Sequence, residues 1–256
     1  MNFYEIKNKI ENNKYLKNKM YNNIIIYNNI MNNDNIPISA KKEIKSFLTE
    51  HALSFFENRE IPNDYIKHFE KEELTYVRDD RSPAEMALTF ILNEIDELST
   101  MSYLKLCGYN ISLNPTALHN TKETKINSNP DFIVFENGGK ITYIEQETYN
   151  SERKRIKIKK TKHDTLVKLI KKGYQVKLIN KCVYIKREWI DNKPIIKDIK
   201  ISYNILDYRE VYKKDLYTIH TEKEAIKGHF GKKGKPFVSI NKDLEYNNIK
   251  DLPYIF

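Results

Sequence analysis

With 256 residues, 40% of them hydrophobic and 12% aromatic, the chain carries enough apolar side chain for one good core and a smaller second domain. No run approaches the ~20 apolar residues of a membrane span, the start Met1-Asn2-Phe3-Tyr4-Glu5 lacks the basic and apolar regions of a signal peptide, and Cys107 and Cys182 lie far apart without CxxC or His spacing. These features argue against a membrane partner, a disulfide framework and a zinc site and point to the cytoplasm; the net charge of +9 and pI near 9.2 suit a polyanion, although such a Lys-rich composition also follows from an AT-rich genome.

Residues 1 to 36 alternate Asn pairs with short apolar runs such as Ile24-Ile25-Ile26, which predicts helices of modest stability or a mobile arm. After Pro37, Ser39 reads as the N-cap of a helix through about Glu57, and Pro62-Asn63-Asp64 starts a short helix that ends before Thr75. This helical front, residues 1–75, suits either a DNA-reading helix-turn-helix or a support for a sheet. Arg81-Ser82-Pro83-Ala84-Glu85 is the clearest helix start, with Ser82 as N-cap, Pro83 at N1 and Glu85 at N3. The apolar stripe Met86, Leu88, Ile91, Leu92, Ile95, Leu98 and Met101 predicts one buried side as far as about Leu106.

Tyr109 to Leu113 is a short strand, followed by a polar loop that carries His119. From Asn129 to Asn150 the pattern is a β-hairpin: Phe132 to Phe135 and Ile141 to Ile144 are apolar, aromatic or β-branched, and Asn137-Gly138-Gly139 tolerates the positive φ of a tight turn. With the turn centred on Gly138, facing positions sum to 276, so Asp131 lies opposite Glu145, and Glu147 shares Glu145's face. Three carboxylates thus gather at one end of an otherwise apolar hairpin. Their mutual repulsion is removed by a hard divalent cation with oxygen ligands, for which Mg²⁺ is the natural choice and Mn²⁺ the substitute.

Thr161 to Lys172 reads as a helix with Leu166, Leu169 and Ile170 inward, Lys162, Lys168 and Lys171 outward, and Gly173 at C′; Tyr174 to Ile179 follows as a strand. Between Ser151 and Lys181 there are twelve Lys or Arg against two acids, Glu152 and Asp164, a bias that suits phosphate. Cys182 to Ile190 and Ile195 to Tyr203 read as a second hairpin and Leu216 to His220 as a strand, with a capping-box helix start at Thr221-Glu222-Lys223-Glu224. The basic loop from His229 to Pro236 lacks the glycine order of a P-loop.

Pro130-Asp131, a hairpin, then Glu145-Gln146-Glu147 resembles the PD-(D/E)XK nuclease superfamily, in which an Asp and a Glu on adjacent strands hold the catalytic metal. The resemblance implies an α/β fold with a restriction-endonuclease-like αβββαβ core and mixed sheet over residues 76–181, behind the helical front and ahead of a small β-rich extension, 182–256. It implies that Asp131, Glu145 and Glu147 are catalytic and ligate metal. Glu85 matches an acid that joins the metal shell from the first helix; as a capping-box residue it has a purely structural explanation too. Glu147 stands where the motif usually has Lys, as in some restriction enzymes of the superfamily, so it either binds a second ion or takes the water's proton. Lys159, Lys160 and Lys162 are then the candidates for the missing positive charge, and Arg153 and Arg155 for flanking phosphates. The implied function is a Mg²⁺-dependent endodeoxyribonuclease of a restriction system or mobile element, acting on double-stranded DNA alone or as a homodimer. The alternative is a non-cleaving DNA-binding protein of plasmid replication or mobilisation that keeps a nuclease-like domain.

Overall fold

The computed structural model describes residues 1–71, 81–114, 129–136, 138–149, 155–190, 193–221, 236–241 and 247–248. Two compact units divide the chain, Met1–Tyr103 and Leu104–Pro253. His119, Asn137, Asn150, Arg153, the helix start after Thr221 and the basic loop 229–235 lie outside the described residues.

The first unit is helical: α1 (Phe3–Lys9), α2 (Lys14–Asn32), α3 (Ile38–Phe47), α4 (Glu50–Leu53) running into a π-helical turn (Ser54–Asn58), α5 (Asn63–Lys71) and α6 (Pro83–Leu106), which carries the chain into the second unit. The Asn-rich front is well packed rather than an arm. Asn2 and Glu5 form a reciprocal capping box on α1, the terminal amine donates to Ile61 O at 2.9 Å, and Leu16, Met20, Ile26 and Ile30 of α2 are buried. The helix expected from Ser39 to Glu57 is two: Pro37 is the N-cap, Leu48 turns extended, and Thr49 caps a new helix with its hydroxyl accepting from Ala52 N. α6 is apolar nearly all round. Ala87, Leu88, Ile91, Leu92 and Ile95 are fully buried, and Asp96, Ser99 and Thr100 are buried with them, the two hydroxyls donating to Asp96 O.

The second unit is built on a mixed six-stranded sheet of β1 (Ile111–Leu113), β2 (Phe132–Phe135), β3 (Ile141–Tyr149), β5 (Gln175–Ile190), β6 (Lys193–Asp207) and β9 (Asn247–Asn248), in that spatial order. All neighbours are antiparallel except β3 and β5, whose parallel pairing requires a crossover. β4 (Arg155–Lys159) and α7 (Lys160–Lys171) supply it. From α6 onward the order is helix, three strands, helix, strand, the αβββαβ series expected, with β4 inserted. β4 joins a separate small sheet with β8 (Phe237–Asn241) and β7 (Tyr217–His220), and α8 (Tyr208–Lys213) follows β6.

Alternation along β3, β5 and β6 sends Leu178, Val176 and Leu206 to the face covered by α7, where Leu166 and Ile170 meet them together with Ile156 and Ile158 of β4, Val238 and Ile240 of β8, and Tyr208 and Val211 of α8. The boundary expected at 181/182 falls inside β5, which continues unbroken from the core sheet into the second hairpin.

Candidate active site

The hairpin register is the one the turn demands. Gly138 and Gly139 both adopt positive φ, 80° and 74°, and the pairs Phe132 with Ile144 and Val134 with Thr142 keep positions summing to 276. Asp131, one residue before β2, therefore reaches β3 beside Glu145, and its Oδ2 accepts from Gln146 N at 2.8 Å. Asn114, 3% exposed just after β1, fixes the corner from the other side: its main-chain N donates to Asp131 O and its Nδ2 to Pro130 O, both at 2.8 Å. The Pro-Asp corner is thus clamped between two strands.

Lys162 completes the cluster. From the first turn of α7 its Nζ donates to Glu145 Oε2 at 2.8 Å and to Asn129 O at 2.9 Å, and lies 3.5 Å from Asp131 Oδ1. The outward direction expected for Lys162 is overturned: its side chain is 17% exposed and Glu145's is 3%. The reason is helical phase. α7 begins at Lys160, so Lys162 lies one turn before buried Leu166 on the sheet side, while Lys160 points out to an i,i+4 pair with Asp164 at 2.7 Å.

Electrostatics at the cluster are set first by burial and then by the charges packed beside it. Burial, then the adjacent Asp131, push Glu145 well above the ordinary carboxylate range against the attraction of Lys162, with Glu147 adding to the rise. Burial alone would lower Lys162, but the pull of Glu145 and then Asp131 outweighs it and holds the ammonium above its ordinary value. Burial thus acts in opposite senses on the two groups, raising the acid and opposing the rise of the base. Lys162 stays charged.

Glu147 is half-buried, aligned with Asn180 of β5, and on Glu145's face. It couples to Glu145 and Lys162 through charge. The three-carboxylate cage expected from the sequence is not formed, since among the described residues no three His, Cys, Asp or Glu side chains are grouped closely enough to hold an ion. The paired carboxylates Asp131 and Glu145 still fit Mg²⁺, which is bound by one or two carboxylates and keeps several waters.

Glu85 belongs to the first unit and forms the capping box there. Its Oε2 accepts from Ser82 N at 2.8 Å and from Ser82 Oγ at 3.1 Å, and its Oε1 accepts from Asn13 Nδ2 at 3.1 Å. Arg155 and Lys159 are exposed at the two ends of β4, and Lys157 between them lies 5.0 Å from the Phe237 ring centre.

Two features escaped the sequence. Asn114 gives no local signal. His163, next to Lys162, is buried with Nδ1 2.7 Å from Tyr208 Oη and its ring against Tyr217, which ties the first turn of α7 to α8 and β7. Burial pushes the imidazole below its ordinary value and the phenol above its own, so both stay neutral. The signal for His163 was its place three residues before the inward Leu166.

A scan against family models finds no match, and neither does a comparison with curated proteins. Among solved structures, the chain is similar to Hjc, a Holliday junction resolvase from Archaeoglobus fulgidus, at 12% identity over 56% of this chain and 86% of that one, with a TM-score of 0.30. At that score the fold of this chain stands on its own strand order and register.

Proposed function

We propose that the second unit is a metal-dependent endonuclease that hydrolyses phosphodiester bonds in double-stranded DNA. The observation that carries it is the convergence of Asp131 and Glu145, from adjacent strands, on the ammonium of Lys162. Carboxylates held this close raise one another's pKa, and a divalent cation between them removes that cost.

Asp131 and Glu145 would hold Mg²⁺, with the main-chain carbonyl of Gln146 as a further oxygen donor; Mn²⁺ would substitute. Once bound, such an ion lowers the pKa of water and offsets the charge that grows on the phosphate. The remaining work falls to the chain. Gln146 N and the Asn114 clamp hold Asp131 in one orientation, so little reorganisation is needed when substrate arrives. Lys162 takes the place of the motif lysine from a different element, presenting a fixed positive charge beside both acids, where negative charge develops. Glu147, on the same face, accepts the attacking water's proton. Glu85, with both oxygens serving the helix cap and Asn13, is left to that structural task. The exposed Arg155 and Lys159 grip the phosphates on either side.

The test is incubation with supercoiled plasmid in Mg²⁺, Mn²⁺ or EDTA, followed by sequencing of the ends. Nicked or linear product that needs the ion and is lost in Glu145→Gln supports the proposal. Intact plasmid in both ions, with binding still visible by gel shift, would make the chain a DNA-binding protein without cleavage.

A further inference from the structure

Strands β5 and β6 outgrow their sheet. β3 accompanies β5 only as far as Cys182, and β9 pairs with β6 only at Asn204 and Ile205, so among the described residues 183–190 and 193–201 pair only with each other. Eight residues at about 3.3 Å each make a two-stranded ribbon about 26 Å long. An irregularity at Lys186 and Arg187 adds twist, and Lys197 bridges to Glu188 across it at 2.6 Å. A two-stranded ribbon alone is marginal in water. This one also exposes Tyr184 at 51%, Ile195 at 42% and Ile196 at 39%.

Its placement follows from register. Glu145 aligns with Leu178 and Glu147 with Asn180, and side chains alternate, so Tyr184 and Lys186 continue the acid-bearing face of β5 while Lys200, opposite Tyr184, and Asp198, opposite Lys186, join them from β6. At about 3.3 Å per residue, Tyr184 lies about 13 Å and Lys186 about 20 Å beyond Glu147 along the strand. All four are exposed. The ribbon sequence holds five basic residues, Lys186, Arg187, Lys193, Lys197 and Lys200, against three acids, Glu188, Asp191 and Asp198. It is therefore a positively charged arm with apolar side chains among its cations.

We propose that this ribbon lies in the major groove of B-form DNA beside the phosphodiester held at Asp131 and Glu145, and so makes the site selective for DNA duplex over RNA duplex. The proposal rests on the reading of the partner as DNA given above. The B-form major groove, about 12 Å wide, admits a two-stranded ribbon, and its thymine methyls offer Ile195, on the face of Tyr184 through its partner Glu188, an apolar surface. The A-form RNA groove is too deep and narrow for it. Lys186 and Lys200 then face the phosphates of the groove walls, where each releases counterions.

The test is binding in EDTA, which keeps it independent of cleavage. Anisotropy titrations of the full chain with a 30-base-pair DNA duplex and an RNA duplex of the same sequence, at several salt concentrations, are paired with dimethyl sulfate protection of guanine N7, a major-groove atom. The wild type should prefer DNA by at least about tenfold and protect N7 in a short tract. The variant carrying Tyr184→Ser, Lys186→Gln and Lys200→Gln should bind DNA roughly tenfold or more weakly, with a salt slope shallower by about two, should lose N7 protection, and should keep its RNA affinity. Equal wild-type affinity for the two duplexes, or no N7 protection, overturns the proposal without recourse to any variant. Protection that persists in the variant overturns it too, as does a fall from dimer to monomer in sedimentation with DNA affinity unchanged, which would give the ribbon to a second copy of the chain. Loss of plasmid cleavage alone would count against the nuclease reading and leave the groove contact standing.

Discussion

Lys162→Met tests the site where its charges are most tightly coupled. The substitution keeps a long unbranched side chain but removes an ammonium that donates to Glu145 Oε2 at 2.8 Å and to Asn129 O at 2.9 Å. Taking one partner from a buried ion pair costs about 3–5 kcal/mol. The low end applies, because Lys162 retains 17% exposure and Glu145 can take up a proton. Burial and Asp131 already raise Glu145, and loss of Lys162 removes an influence that lowers it. A carboxylate whose folded pKa is raised stabilises the fold below its unfolded pKa, and that stability is lost as pH rises through the folded pKa. Lys162 itself is raised, so its charge is constant across neutral pH. The deficit of the variant should thus be about 3 kcal/mol at the alkaline end and shrink as pH falls through the raised range of Glu145. Urea denaturation in EDTA across that range measures it. A difference under about 0.5 kcal/mol at every pH would be the size of an ordinary surface substitution and would refute the buried charge cluster.

Three further outcomes follow from the same geometry. Glu147→Gln should cut cleavage at least about a hundredfold in single-turnover assays while leaving the melting curve in place; full activity would make Glu147 a bystander. Asn114→Ala leaves Pro130 O without its donor and should lower stability by about 1–3 kcal/mol in denaturant titrations, an unchanged midpoint counting against the clamp. In the first unit, burial pushes Glu94 from 4.5 up to about 7 despite hydrogen bonds from Thr49 N and Oγ1. The folded state therefore binds more protons than the unfolded one between those values, and stability should fall as pH rises through that window, by about 3 kcal/mol for the whole shift. Glu94→Gln, which can still accept from Thr49, should flatten the slope; an equally steep slope in the variant would assign it to other groups.

The central hairpin was legible because its information is local. Two glycines at a turn, apolar residues on either side and a period of two leave one register, and that register places Asp131 beside Glu145. The start of α6 was legible for the same reason, Ser82, Pro83 and Glu85 lying within one turn. What stayed hidden depends on distant partners. β4 reads as a basic surface segment, and only pairing with Phe237–Asn241, some eighty residues on, makes Ile156 and Ile158 a buried strand face. Residues 175–190 read as two strands because the first half pairs in parallel with β3 and the second half forms a hairpin with β6, yet one unbroken strand does both. Among the three lysines offered for the missing charge, the choice of Lys162 required the phase of α7, which is set by where the helix starts and by its packing on Leu178 and Leu206.

Calorimetric titration of the apo chain with Mn²⁺ and Mg²⁺, run on the wild type, Asp131→Ala and Glu145→Ala, tests the central claim most directly, because it reads the ion without relying on turnover or on DNA. The wild type should show saturable binding of both ions, and each substitution should abolish it, since Asp131 and Glu145 are the two carboxylates that meet at Lys162. Binding of the same affinity and stoichiometry in both variants would place the ion elsewhere and contradict the assignment of this corner as the catalytic centre.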